Sequence, residues 1–163
     1  MTGDAMVTLA LSRDPQAETV VTEGLAAYNR DSFGRIDSQT LDLLVRDDNS
    51  GAVVGGLLGH TSLGLFFLDL FHLPEELRKG GLGSRLITRA EEEAKKRGCT
   101  EAFVITVTFQ APGFYEKHGY RRFGEIAPAG GAHRIFLQKS LVRADQRAVA
   151  QAGDVAGVDA PHR

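Results

Sequence analysis

Residues 5–11 alternate apolar and polar positions, which predicts a first strand. Asp14 followed by Pro15 marks a helix start, with an acid at the N-cap and proline in the first turn. Val20, Val21, Leu25 and Ala26 then recur at helical spacing until near Asn29 or Ser32. A polar stretch over 34–39 leads to a strand over 40–46, a turn rich in Asp, Asn and Gly over 47–51, and a returning strand over 52–60, together a hairpin. A further apolar stretch, 63–73, is closed by Pro74. Over 82–97 the residues Leu82, Leu86, Ile87, Ala90 and Ala94 fall on one helix face. Glu91, Glu92, Lys95 and Lys96 fall on the other, as opposite charges at i,i+4, and Gly98 supplies the stop.

Residues 102–108 are a continuous, largely β-branched apolar run suited to a buried strand. Pro112 opens a short helix that Gly119 closes, and strands over 120–126 and 133–141 flank a loop at 128–131. From residue 143 the chain is rich in Ala, Gly, Asp and Gln, the composition of a frayed, flexible tail. The order predicts one mixed α/β domain over 1–142 followed by a tail over 143–163.

Composition narrows the class. A chain of 163 residues, 42% hydrophobic and 25% charged, can bury one sizeable core. The net charge of -2 argues against a nucleic-acid partner held by bulk charge. No apolar run approaches the ~20 residues of a membrane span. An acid stands near the N-terminus where a signal peptide needs basic residues, so a cytoplasmic location is expected. The single cysteine, Cys99, reads as a small buried hydrophobe, and no Cys/His spacing points to a metal. Acids outnumber bases in residues 1–60, which reads as solvated helix faces or as an acidic region for a cationic substrate.

The segment Arg78-Lys79-Gly80-Gly81-Leu82-Gly83-Ser84 stands between the strand ending at Leu73 and the helix over 82–97. A helix N-terminus leaves its first backbone N–H groups unpaired and carries positive partial charge. Glycines let a phosphate approach that backbone, and Arg78 and Lys79 add charge at its mouth. A Walker loop requires a lysine before the serine, and Gly83 stands there. A dinucleotide fingerprint requires a third glycine, and Leu86 stands there. A purely structural turn is the remaining reading of the glycines alone.

Thirty-odd residues later comes Ala111-Pro112-Gly113-Phe114-Tyr115-Glu116-Lys117-His118-Gly119-Tyr120. LRKGGLGSRL and APGFYEKHGY, in that order and with a strand between them, resemble the two coenzyme A motifs of the GNAT family of N-acetyltransferases, over roughly residues 5–141. The resemblance implies a GNAT fold: a mixed, mostly antiparallel sheet of about seven strands flanked by helices and splayed between the fourth and fifth strands. It implies acetyl-CoA as co-substrate, with no metal. The pyrophosphate would lie on the backbone of Arg78, Lys79, Gly80, Gly81, Leu82, Gly83 and Ser84. The pantetheine arm would pair with Phe71, His72 and Leu73, with Phe114 beside it.

The same resemblance makes Tyr115 the acid that protonates the leaving thiolate, and Asp69 the carboxylate that serves as base or as anchor for the substrate cation. Strand parity turns Asp69 the same way as Phe71 and Leu73 unless a bulge intervenes. Tyr28 and Asn29, ending the first helix, and Gln110 are expected to touch the acceptor. Thr108 stands where many relatives have an asparagine that contacts coenzyme A. Phe66, Phe67 and Phe109 read as core, with one lining the pocket. His60, His72, His118 and His133 read as surface or core side chains rather than catalysts. The expected activity is acetyl transfer to a primary amine of a small molecule by direct attack in a ternary complex. Acetylation of a protein or peptide, and a non-catalytic acyl-CoA sensor, are the alternatives. A homodimer paired through the C-terminal strand is also an expectation, as is the absence of nucleic-acid and membrane partners.

Overall fold

Asp14 caps the first helix as its place before Pro15 predicts. Its Oδ1 accepts from the backbone N–H groups of Gln16 and Ala17 at 2.8 and 3.2 Å. The computed structural model describes residues 6–34 and 37–142, and the chain divides into two compact units, 1–36 and 37–163. The first unit carries α1 (Pro15–Phe33), ended by Gly34 in the left-handed conformation with its N–H on the Arg30 carbonyl. Residues 6–11 form no strand. Met6, Val7, Leu9 and Leu11 are all strongly exposed. Alternation alone does not make a strand, whose backbone groups need a partner edge. The predicted tail, 143–163, lies outside the described residues.

The second unit is built on a seven-stranded sheet. Its strands are β1 (Gln39–Thr40), β2 (Leu43–Arg46), β3 (Val53–Ser62), β4 (Leu65–His72), β5 (Glu101–Val107), β6 (Arg121–Ile126) and β7 (Arg134–Ser140). The order across the sheet is β1-β3-β4-β5-β7-β6, with β2 also on β3, and every pair is antiparallel except β4 with β5. The strand expected over 40–46 is broken in two. At the break Leu41 keeps one bond to the Gly59 carbonyl, and the Asp42 carboxylate accepts from the Gly59 N–H, replacing a backbone carbonyl in the ladder.

Three helices complete the unit: α2 (Glu75–Arg78), which the sequence pattern did not predict, α3 (Leu82–Lys96) and α4 (Pro112–Lys117). Leu57, Phe66, Leu68, Ala102, Val104, Ile135 and Leu137 from the sheet bury against Ile87, Ala90 and Ala94 of α3 and Tyr115 of α4. Cys99 joins this core, as expected. Glu91 does not sit on the solvated helix face to which its neighbours assign it. It is buried, with its Oε2 2.6 Å from Lys139 Nζ on β7. The helix is enclosed over a wider arc than its apolar stripe, and a paired charge fills the extra width.

The other face of the sheet is aromatic. His60 stacks on Phe67 at 4.5 Å between ring centroids, Phe67 meets Phe103 edge-on at 6.0 Å, and Phe103 continues the contacts to Phe123 and Phe136.

Candidate active site

Two departures from a regular sheet create the site. The first is a bulge. Adjacent residues Leu58 and Gly59 on β3 pair with Leu70 and Leu68 on β4, so Asp69 is the extra residue. Up to that point Phe66 and Leu68 face α3; beyond it Phe71 does, opposite the buried Leu57 and packed on the core. The bulge therefore parts Asp69 from Phe71. Asp69 stays with Phe67 on the aromatic face, where its Oδ2 lies 2.7 Å from His60 Nδ1. The second departure is an opening. The parallel ladder of β4 and β5 ends at Leu68 opposite Val104, while both strands run on to His72 and Val107. Past Leu68, the β5-facing backbone of β4 has no strand to pair with.

A cavity of about 540 Å³ adjoins this opening. Phe71, His72, Leu73, Arg78, Gly83, Gln110, Phe114 and Tyr115 line it, so the glycine turn, the end of β4 and the start of α4 meet in one place. Thr106, Phe109 and Ala111 complete the lining. Sequence reasoning passed over Thr106, although period-two alternation from Ala102 and Val104 puts it on the inward face. Its hydroxyl donates to Gln110 Oε1 at 3.3 Å. Thr108 does not reach the cavity; it is exposed, and its N–H is spent on the His133 carbonyl at 3.1 Å. Phe109, read as core or pocket wall, is exposed and lines the cavity.

The turn before α3 has the backbone form that an anion needs. Gly81 precedes the helix at φ +73°, with no side-chain cap on the N–H groups that follow. The first helical bond is donated by Arg85 to the Gly81 carbonyl at 3.1 Å. A Cβ on Gly83 would lie 3.3 Å from the Phe114 ring, tighter than an ordinary contact, so a side chain there would press α3 against α4. Arg78 donates from Nε to the Leu73 carbonyl at 2.8 Å, which ties the end of β4 to the turn and leaves the Nη groups for a ligand. Lys79, Gly80 and Leu82 complete the turn, and Ser84 lines a separate groove of about 810 Å³ between α3 and the strands β1 and β2. That groove carries charges of both signs, among them Arg85, Arg89, Glu92 and Glu93.

Tyr115 is held on three sides. Its ring meets Phe114 at 5.4 Å and Tyr120 at 5.9 Å, and its carbonyl accepts from the N–H groups of His118 and Tyr120. Burial pushes its hydroxyl up to about 12, so it keeps its proton across the neutral range. Burial, and then the Glu91 carboxylate, drive Tyr120 well above its usual value. Tyr28 and Asn29 lie on α1, in the first unit.

A sheet parted between two parallel strands, beside a glycine-led helix start with unpaired backbone donors, is the arrangement that the resemblance to the GNAT family implies. The comparisons agree. The family model described as Acetyltransferase (GNAT) family matches residues 9–120. Acetyltransferase Atu2258 of Agrobacterium fabrum is 37% identical over 127 residues, covering 77% of this chain and 92% of its own length. Blasticidin-S acetyltransferase of Streptomyces morookaense is 47% identical over 77 residues, covering 47% of this chain and 57% of its own length. A crystal structure from Agrobacterium tumefaciens superposes with a TM-score of 0.78 at 35% identity, covering 83% of this chain and 99% of that one. The chain belongs to the GNAT acetyltransferase family and is an acyltransferase whose family uses acetyl-CoA as co-substrate.

Proposed function

We propose that this protein transfers the acetyl group of acetyl-CoA to a primary amine of a small molecule, by direct attack within a ternary complex. The observation that carries the reading is one cavity lined by Gly83 at the helix start, by Phe71, His72 and Leu73 at the end of β4, and by Tyr115. The turn from Arg78 to Ser84 would hold the diphosphate on its N–H groups. The unpaired edge of β4 at Phe71 and His72, with Leu73 just beyond it, would receive the pantetheine arm as a strand receives its neighbour. Similarity to a blasticidin-S acetyltransferase favours a small acceptor over a docked protein.

A C–N bond forms as the C–S bond breaks, and an ammonium acceptor sheds two protons on the way to the amide. Asp69 serves the removal of the first, which frees the nitrogen lone pair. Tyr115 serves the second. At about 12 its hydroxyl stands above a thiol near 8.5, so handing over its proton unreplaced is uphill. It works as a donor to the leaving sulfur whose proton is renewed by the one the attacking nitrogen sheds. Gln110, on the cavity wall, would orient the acceptor.

The test is thiol release from acetyl-CoA with blasticidin S, spermidine, lysine and a peptide with a free N-terminus. Turnover with a small amine and none with the peptide is expected. Turnover with the peptide alone would reverse the acceptor class, and tight coenzyme A binding without any turnover would make the chain a sensor.

A further inference from the structure

We infer that the proton of the acceptor amine passes to His60, and that Asp69 acts through it as a positioning residue; this rests on the acetyl-transfer reading above. The juxtaposition comes from the bulge. A regular β4 would have turned Asp69 away from His60's neighbourhood at the next register step, or Phe71 away from the cavity. The extra residue satisfies both, leaving Phe71 on the cavity side and Asp69 against His60. His60 pairs with Phe67, one residue before the last β4–β5 pair, so the His60–Asp69 pair stands at the lip of the opening. The cavity with Tyr115 lies on the helix side of that opening, and the pair lies on the other. Proton acceptor and proton donor are thus divided between the two faces of the sheet, with the gap in the ladder between them.

The chemistry of the pair fixes its direction. A carboxylate only accepts, so the short contact to Asp69 requires that Nδ1 of His60 carry a hydrogen. In the neutral ring Nε2 is then left with its lone pair, the form that can take a proton. The ring is held by its stack on Phe67, and its side chain is 37% exposed, open to an amine or to one water. β1 presents Thr40 opposite His60, an uncharged neighbour, and β4 presents Phe67 and Asp69. In the step itself the N–H bond of the ammonium breaks, an Nε2–H bond forms, and the electron pair stays on the amine nitrogen. The imidazolium that results keeps its Nδ1 hydrogen on the Asp69 carboxylate.

Two measurements on the full chain test this. The first needs no acceptor: long-range proton–nitrogen NMR correlation of the histidine rings, without and with coenzyme A. The neutral His60 ring should carry its proton on Nδ1, and Asp69→Ala should move it to Nε2. A wild-type ring protonated on Nε2, or one indifferent to Asp69→Ala, overturns the proposal. The second is turnover of the small amine that the wild-type chain acetylates in the panel above. His60→Ala and His60→Gln should lower kcat about 100-fold with coenzyme A affinity unchanged. Added imidazole should restore His60→Ala but not Tyr115→Phe. Unchanged kcat in folded His60→Gln, or a loss that imidazole does not repair, overturns it. A wild-type chain that binds coenzyme A and acetylates no amine removes the acetyl-transfer reading instead, a failure distinct from that of the pair.

Discussion

At the scale of single residues, the site depends on side chains whose surroundings fix one protonation state. Tyr115 is buried enough that its hydroxyl ionises only near 12. Its folded value lies above the unfolded one near 10, so the unfolded chain binds fewer protons above pH 10. Stability is therefore level below about pH 10 and falls between 10 and 12, by roughly 2–3 kcal/mol from this residue. Denaturant unfolding at pH 8 and pH 11 should show about half of that fall, and Tyr115→Phe should lessen it; an identical fall in the variant would contradict the burial argument. In the reaction, Tyr115→Phe should lower kcat about 100-fold with little change in coenzyme A affinity. Unchanged turnover would remove Tyr115 from the chemistry. Tyr115 was legible in the sequence only through the motif around it, because nothing in its spacing separates a donor from a packed ring. His60 was not legible, since its partner is set by a bulge that no alternation pattern announces.

At the scale of elements, close approaches decide what each segment tolerates. Gly83→Val would put a branched side chain against the Phe114 ring, where even an added Cβ would stand at 3.3 Å. That clash should destabilise the fold by about 1–3 kcal/mol and abolish coenzyme A binding; unimpaired binding would contradict the proposed cradle. Glu91→Ala would leave Lys139, three-quarters buried, without its partner. A loss of about 3 kcal/mol is expected in chemical denaturation, largely recovered by Glu91→Met with Lys139→Met. An equal loss in the double variant would show that the pair itself stabilises. The helix α3 was readable from its apolar stripe and its Gly98 stop, and β5 from its β-branched run. The break at Leu41 and Asp42 was not, because a side-chain carboxylate replaces a backbone carbonyl there. Nor was the absence of a strand over 6–11, since strand pairing depends on a distant edge rather than on local alternation.

At the scale of the whole molecule, the bulge and the parted ladder place the cavity, and the glycine turn beside them supplies backbone donors. Family membership rests on the match over residues 9–120 and on relatives that share most of their length with this chain. The order of motifs, RKGGLG before APGFYEKHGY, made that legible, whereas the acceptor is not written in either motif, because both belong to the coenzyme A side. Among the described residues no helix is long and apolar enough to cross a membrane. The central claim, that coenzyme A lies in the opened sheet on the turn before α3, is tested most directly by isothermal titration of acetyl-CoA into the wild-type chain, Tyr115→Phe and Gly83→Val. Saturable one-to-one binding is expected in the first two and none in folded Gly83→Val. No heat from the wild-type chain with no rise in its melting temperature, or equal affinity in Gly83→Val, would contradict it.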